Sequence, residues 1–237
     1  MSSSSASSLV VPAGEQFAHI RTSTVLDGDF HLDGDRVALH HRRAAFMSGR
    51  WTQLDEVHGS VVRRVTAPGE HDGAVGDALV TDLAGVVLGI WVGDCAPVVL
   101  VGSNGATAEV AAAHVGWRGA LGGVLASTVA AMHSDASAVT GYLGPCIHPC
   151  CYEFGADDLA RFVDRFGTVA ASTTSWGTPA LDMRAVVRQS LAELGIELVE
   201  TPGMSECTGC HSDRYFSHRR RGDRGRQVMA VCARVAS

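Results

Sequence analysis

The chain has 237 residues, of which 46% are hydrophobic and 19% charged, with a formal net charge of −6; that composition excludes intrinsic disorder and fits one continuous core. The acidic balance argues against a general nucleic-acid binder, which needs basic charge to displace phosphate counterions. All 19 basic residues are arginines, so Schiff-base, pyridoxal-phosphate and Walker-A chemistries, each built on a lysine, are excluded.

Six of the first eight residues are serine, and no apolar periodicity precedes about Phe17. Residues 1–16 are therefore expected to be a disordered lead and residues 17–237 a single domain. The same lead has neither a basic nor an apolar signal region, so a reducing, cytoplasmic setting is expected. The seven cysteines then read as thiols, metal ligands or nucleophiles rather than disulfides.

Residues 83–102 carry one formal charge, Asp94, and are long enough to suggest a membrane span. Gly85, Gly89, Gly93 and Pro97 among the valines point instead to two buried strands around a Gly-Asp-Cys-Ala-Pro turn, with no membrane partner. A further apolar strand over 109–114 leads through Val-Gly-Trp-Arg-Gly into a small-residue helix over 120–133. Asp157 or Asp158 is expected to cap a helix running to Phe166, and Asp182 one that stops at Gly195. Strand signals recur at 139–143, 196–199 and Gln227–Val235. Strands interleaved with helices imply a layered α/β domain.

Three segments set a metal-ligand side chain beside glycine at a strand end: Glu-Val-His-Gly-Ser with His58, Val-Gly-Asp-Cys-Ala-Pro with Cys95, and Ala-Ala-Ala-His-Val-Gly with His114. Two imidazoles and a thiolate suit zinc and leave a fourth position for water. The alternative is a buried thiol with two ordinary hydrogen-bonded histidines. Arg118, at the expected start of a helix, makes a natural site for phosphate or carboxylate, the alternative being a surface ion pair.

The segment Cys-Thr-Gly-Cys-His, 207–211, has the spacing of a c-type haem attachment, which an export signal would have to accompany. A structural zinc shared by Cys207, Cys210 and the group Cys146, Cys150, Cys151 is a second option, with wider spacing than compact knuckles use. Ordinary core and loop thiols are the expectation. The arginine run 214–226 reads as a solvated loop with one member, Arg220, turned into a substrate pocket.

VHGSVV, DALVTD, GDCAPVVL, AAAHVGWRGALGG, GPCIHPCCYEFG, LDMR and CT…RYFSHRRRGDRGRQ occur in the order found in YfiH-like proteins, and over about residues 58–231 the chain resembles that family. Its members are also called laccase-domain or polyphenol-oxidase proteins and are assigned purine nucleoside phosphorylase and adenosine deaminase activity. The resemblance implies a single layered α/β domain with mixed β-sheets flanked by helices, similar to the cysteine hydrolase and toxin deamidase fold. It also implies that His58, Cys95 and His114 are metal ligands. The chain departs from the family in having Gly93 before Asp94-Cys95, His41-Arg42 in place of an Asn-Arg pair, and an added Cys210-His211.

The reading that follows is a monomeric zinc enzyme acting on purine nucleosides and inorganic phosphate. It would phosphorolyse adenosine, inosine, guanosine and methylthioadenosine and deaminate adenosine, with Arg118 on phosphate and Asp94 and Arg220 contributing to substrate binding. Asp94 has competing roles: orienting a ligand, shuttling a proton, or serving the structure alone. Three alternatives stand beside it: a metal-free hydrolase or deamidase with Cys95 as nucleophile and His114 as base, a copper-dependent polyphenol oxidase, and a non-catalytic quality-control factor in cell-wall synthesis.

Overall fold

Alternation in the apolar strands generates the architecture. From 86 to 92, Val86, Leu88, Ile90 and Val92 enter one core while Val87 enters another. From 96 to 104, Val99 and Val101 face the first of these cores, whereas Val98 and Leu100 face a third. Side chains on successive residues of a strand point to opposite faces, so each of these strands is apolar on both sides and must be covered twice.

A computed structural model describes residues 6–235. In chain order it contains β1 (Ser7–Ala13), β2 (Gln16–Thr22), α1 (Arg36–Phe46), β3 (Arg50–Gln53), β4 (Val62–Arg64), β5 (Ala78–Thr81), β6 (Val86–Val92), β7 (Ala96–Asn104) and β8 (Thr107–Val115). There follow α2 (Trp117–Leu121), α3 (Val124–Ala130), β9 (Thr140–Leu143), α4 (Ala156–Phe166), β10 (Ala171–Thr173), β11 (Pro179–Leu181), α5 (Met183–Ala192), β12 (Glu197–Val199), α6 (His218–Arg221) and β13 (Gln227–Val235).

Two mixed sheets stack face to face. One has the order β1-β2-β13-β6-β3, parallel only between β3 and β6; the other has the order β12-β9-β7-β8-β5-β4, parallel at β12 with β9 and at β4 with β5. Ile20, Leu88, Ile90, Val99, Val110 and Val231 fill the space between them. Leu39 and Phe46 of α1 cover the outer face of the first sheet, and residues of α3, α4 and α5 cover that of the second. The result is the expected layered α/β domain with mixed sheets and flanking helices.

Several local expectations are corrected. Residues 7–13 are ordered, not part of a disordered lead: β1 pairs with β2 from Ser7 opposite Thr22 to Ala13 opposite Gln16. Leu9 and Val11 pack on the central core, a two-residue period that the surrounding serines obscure. The remainder of the expected lead, residues 1–5, lies outside the described residues. The helix over 120–133 is two helices, α2 and α3, parted at Gly122 and at Gly123, whose φ is +75°. Gly155, not an aspartate, precedes α4, and Asp157 and Asp158 sit in its first turn, where carboxylates favour the helix dipole. Asp182 caps α5 as expected, accepting from the Ala185 N–H at 3.0 Å. Among the described residues no helix is long and apolar enough to cross a membrane.

One buried charge ties the layers. Glu109 on β8 is fully buried and accepts from Arg64 at 2.6 Å, from the His133 and Ser134 N–H groups at 2.8 Å each, and from Ser134 Oγ at 2.8 Å. Burial alone would raise its pKa, but these donors hold it below the ordinary carboxylate value. Replacing Glu109 with alanine strands them, so Glu109→Ala is expected to cost about 3 kcal/mol in denaturant unfolding.

Candidate metal centre

The turn between β6 and β7 crosses from one sheet to the other at the end of the sandwich, and Cys95 stands on that crossing. His114 lies near the end of β8, whose partner β7 starts beside Cys95 with Pro97 opposite His114. His58 comes from the loop before β4 and has a φ of +61°, unusual for a residue with a side chain. The three side chains converge as expected: their ligand atoms lie within 4.8 Å of one another, with Cys95 Sγ 3.6 Å from His58 Nε2. The glycines beside them do have a steric reason, since a Cβ on Gly116 would come within 2.4 Å of His58 Cδ2.

What holds the histidines is Asp77, just before β5. Its carboxylate accepts the N–H groups of His58 and Gly59 at 2.7 Å each and lies 2.9 Å from His114 Nδ1. One buried carboxylate thus stabilises the strained loop at His58 and occupies Nδ1 of His114, leaving Nε2 as the ligand nitrogen. Burial pushes the Asp77 carboxyl up, but the His114 contact and the two N–H groups win and keep it low. Burial likewise opposes ionisation of Cys95, yet His114 and His58 bring its pKa down to about 6. His114 moves the other way: burial lowers it, and neighbouring Glu56 and Cys95 raise it well above the ordinary imidazole value.

Glu56 is the second residue that the sequence reading missed. Its side chain is buried, its Oε2 lies 3.6 Å from His114 Nδ1, and Oε1 accepts the Trp91 N–H at 3.0 Å. Burial raises its pKa from 4.5 to about 8. The native state therefore keeps a proton that the unfolded chain releases between those two values, and stability falls as pH rises through that window. In metal-free protein, Glu56→Gln is expected to gain stability relative to the parent from about pH 4.5 to about pH 8 and to level off above. Urea unfolding at stepped pH measures this; a constant difference would place the Glu56 pKa in the ordinary range. Both acids stood in quoted motifs, Asp77 opening DALVTD and Glu56 two residues before His58, but only the fold aims them at His114.

The group opens into a cavity of about 450 Å³ whose walls include Trp91, Trp117, Tyr152, His31, Arg118 and Arg219. Arg118 lies 4.2 Å over the Trp117 ring, is exposed, and has no carboxylate partner among the described residues, so the surface ion pair is absent. The five residues of α2 add little dipole, which leaves the guanidinium itself as the anion-binding group.

Of the other two expected substrate residues, Asp94 lines the cavity and Arg220 does not. Asp94 lines the cavity, but its carboxylate accepts from Thr208 Oγ1 at 2.6 Å, Ser217 Oγ at 2.7 Å and the Arg219 N–H at 2.6 Å. These contacts hold a backbone φ of +128° and make Asp94 a clasp between loops. Arg220 lies 4.8 Å over Trp176 in a neighbouring cavity and is not in the wall of this one, whereas Arg219 lines both. A helix turn separates adjacent side chains by about 100°, so a run of arginines does not reveal which member faces inward. The cysteines expected to be scattered thiols also differ, because Cys150, Cys151, Cys207 and Cys210 meet in a cluster of their own.

Residues 25–234 match the family described as "Multi-copper polyphenol oxidoreductase laccase". A Xylella fastidiosa protein named "Purine nucleoside phosphorylase" is 39% identical over 179 residues, covering 73% of this chain and 68% of that one. "Adenosine deaminase RL5", from an unknown prokaryotic organism, is 32% identical over 152 residues, 62% of this chain and 57% of the other. The crystal structure of Neisseria meningitidis protein NMB0706 superposes with a TM-score of 0.81 at 26% identity, covering 96% of this chain and 99% of that one.

Proposed function

Because this chain belongs to the YfiH-like laccase-domain family, described as multi-copper polyphenol oxidoreductase laccase, we propose that it is a zinc-dependent purine nucleoside enzyme that phosphorolyses purine nucleosides and deaminates adenosine. The observation that carries this reading is the convergence of His58, Cys95 and His114 at an aromatic-walled cavity with an unpaired arginine. Two imidazoles, one of them oriented by Asp77, and a thiol with a lowered pKa form a donor set that fits zinc, with copper the other candidate. When bound, the ion supplies Lewis-acid polarisation of water or of a substrate oxygen. Seven free cysteines suit a reducing, cytoplasmic setting.

The chain's own groups divide the remaining work. Trp91, Trp117 and Tyr152 offer faces for a purine. Arg118 binds phosphate for attack at the ribose C1′ as the purine departs, and Glu56, a buried acid on the cavity wall whose pKa burial raises, is placed to supply a proton to the leaving base. In deamination the attack is by water at C6 and needs no phosphate.

The lowered Cys95 pKa beside a raised His114 also favours a second reading, a thiolate–imidazolium pair acting without metal. Copper-dependent phenol oxidation lacks a relay, since among the described residues the other candidate metal group is all thiol. The deciding experiment incubates metal-quantified protein with adenosine, inosine and methylthioadenosine, with and without phosphate, and identifies products. Free base and the matching sugar 1-phosphate (ribose 1-phosphate, or 5-methylthioribose 1-phosphate from methylthioadenosine) formed only with phosphate, and inosine from adenosine, are expected. Full turnover by metal-depleted protein would establish the Cys95–His114 pair instead.

A further inference from the structure

Two distant segments bring four thiols to one point behind the cavity wall. The Sγ atoms of Cys150, Cys151, Cys207 and Cys210 all lie within 4.8 Å of one another. Cys210 is 3.5 Å from both Cys150 and Cys151, and Cys150 is 3.8 Å from Cys151 and from Cys207. Four sulfurs bound tetrahedrally to zinc at about 2.3 Å are separated by about 3.8 Å; a disulfide would need about 2.05 Å. We propose that these four cysteines form a second, structural metal site, closed by four thiolates and selective for a thiophilic tetrahedral divalent cation such as zinc.

The surrounding backbone is built for such an ion. Cys207 and Cys210 have Cys-x-x-Cys spacing, and the N–H groups of Cys210 and His211 both turn back onto the Cys207 carbonyl at 3.2 Å. Gly209, inside that turn, packs where a Cβ would lie 2.7 Å from Cys151 Cβ and 2.9 Å from its Sγ, so no larger residue lets the two segments close. The His148 N–H donates to Cys207 Sγ at 3.3 Å, the outer support that metal-bound sulfur ordinarily receives. Arg221 donates to the carbonyls of Thr208 and Gly209 at 3.2 and 3.3 Å, placing positive charge beside what would be a doubly negative centre. Cys151 and Cys207 are buried while Cys210 is exposed, so an ion can enter from one edge.

The wide sequence separation that argued against this site is bridged by the fold. Cys146 and Cys207 form a parallel β-bridge, with the Thr208 N–H donating to the Cys146 carbonyl at 3.0 Å, and this sets the two segments side by side. The ion's role would reach the cavity directly: Thr208, between two ligands, donates its hydroxyl to Asp94 at 2.6 Å, next to Cys95. Metal in the four-thiol site would thus hold the loop that clasps the Asp94 turn.

The test is independent of the nucleoside reading and uses the full chain purified without chelator. Elemental analysis of Cys95→Ala, which leaves all four thiols intact, is expected to find about one zinc per chain, and its cobalt-substituted form should show the intense charge-transfer absorption of a tetrathiolate. Adding Cys207→Ser and Cys210→Ser should remove that last ion. A Cys95→Ala protein that retains no metal, or one whose four thiols react at once with Ellman's reagent without releasing zinc, would overturn the proposal. If the triple variant does not fold, the cobalt spectrum and thiol reactivity of Cys95→Ala decide alone.

Discussion

Cys95→Ala is expected to abolish nucleoside turnover and remove the ion held by His58, Cys95 and His114. The thiolate is the one anionic ligand of the set, and its pKa is already held near 6, so it binds metal at neutral pH with little cost of deprotonation. Two neutral imidazoles alone make a much weaker site, and the chemistry assigned to the ion goes with it. Activity should fall by orders of magnitude, measured by product formation, while elemental analysis shows the loss of one ion per chain, the ion of the four-thiol site remaining. The control is the parent protein stripped of metal: if it keeps full activity while Cys95→Ala is dead, Cys95 is a nucleophile and not a ligand.

Arg118→Ala is the change with the next largest expected effect, and it should separate the two reactions. Charge-assisted contacts to an anion contribute about 1.5–3 kcal/mol, which is roughly a tenfold to hundredfold loss in kcat/KM for phosphate. Deamination should suffer far less, because it uses no phosphate. Arg118 is free for this role: it rests on the Trp117 ring at 4.2 Å and has no carboxylate partner among the described residues. Arg118→Lys should recover part of the loss by restoring charge without the planar fork. Equal loss in both reactions would mean that Arg118 and Trp117 shape a wall common to both.

Much of this was legible in the chain itself. The uninterrupted apolar runs of β6, β7 and β8 reported buried strands, and the structure covers them on both faces because the pleat sends successive side chains into different cores. Glycines beside His58, Cys95 and His114 marked close approach, and Gly116 shows why. What alternation cannot state is which sheet a strand joins. The sequence reads two buried strands around Gly-Asp-Cys-Ala-Pro without saying whether they pair; β6 and β7 belong to different sheets, and it is this crossing that carries Cys95 to the end of the sandwich.

The sequence by itself determined the layered α/β class, the three ligand candidates and Arg118 as a candidate anion-binding group, since each rests on local spacing or side-chain chemistry; that Arg118 has no carboxylate partner among the described residues was decided by the fold. Tertiary structure alone decided that Asp77 and Glu56 meet His114, that Arg219 rather than Arg220 faces the cavity, that Asp94 clasps two loops, and that four cysteines share one point. The physical reason is the same in each case. Local periodicity sets the direction of a side chain from its own strand or helix, whereas the partner it meets is set by sheet stacking and strand pairing between segments tens of residues apart.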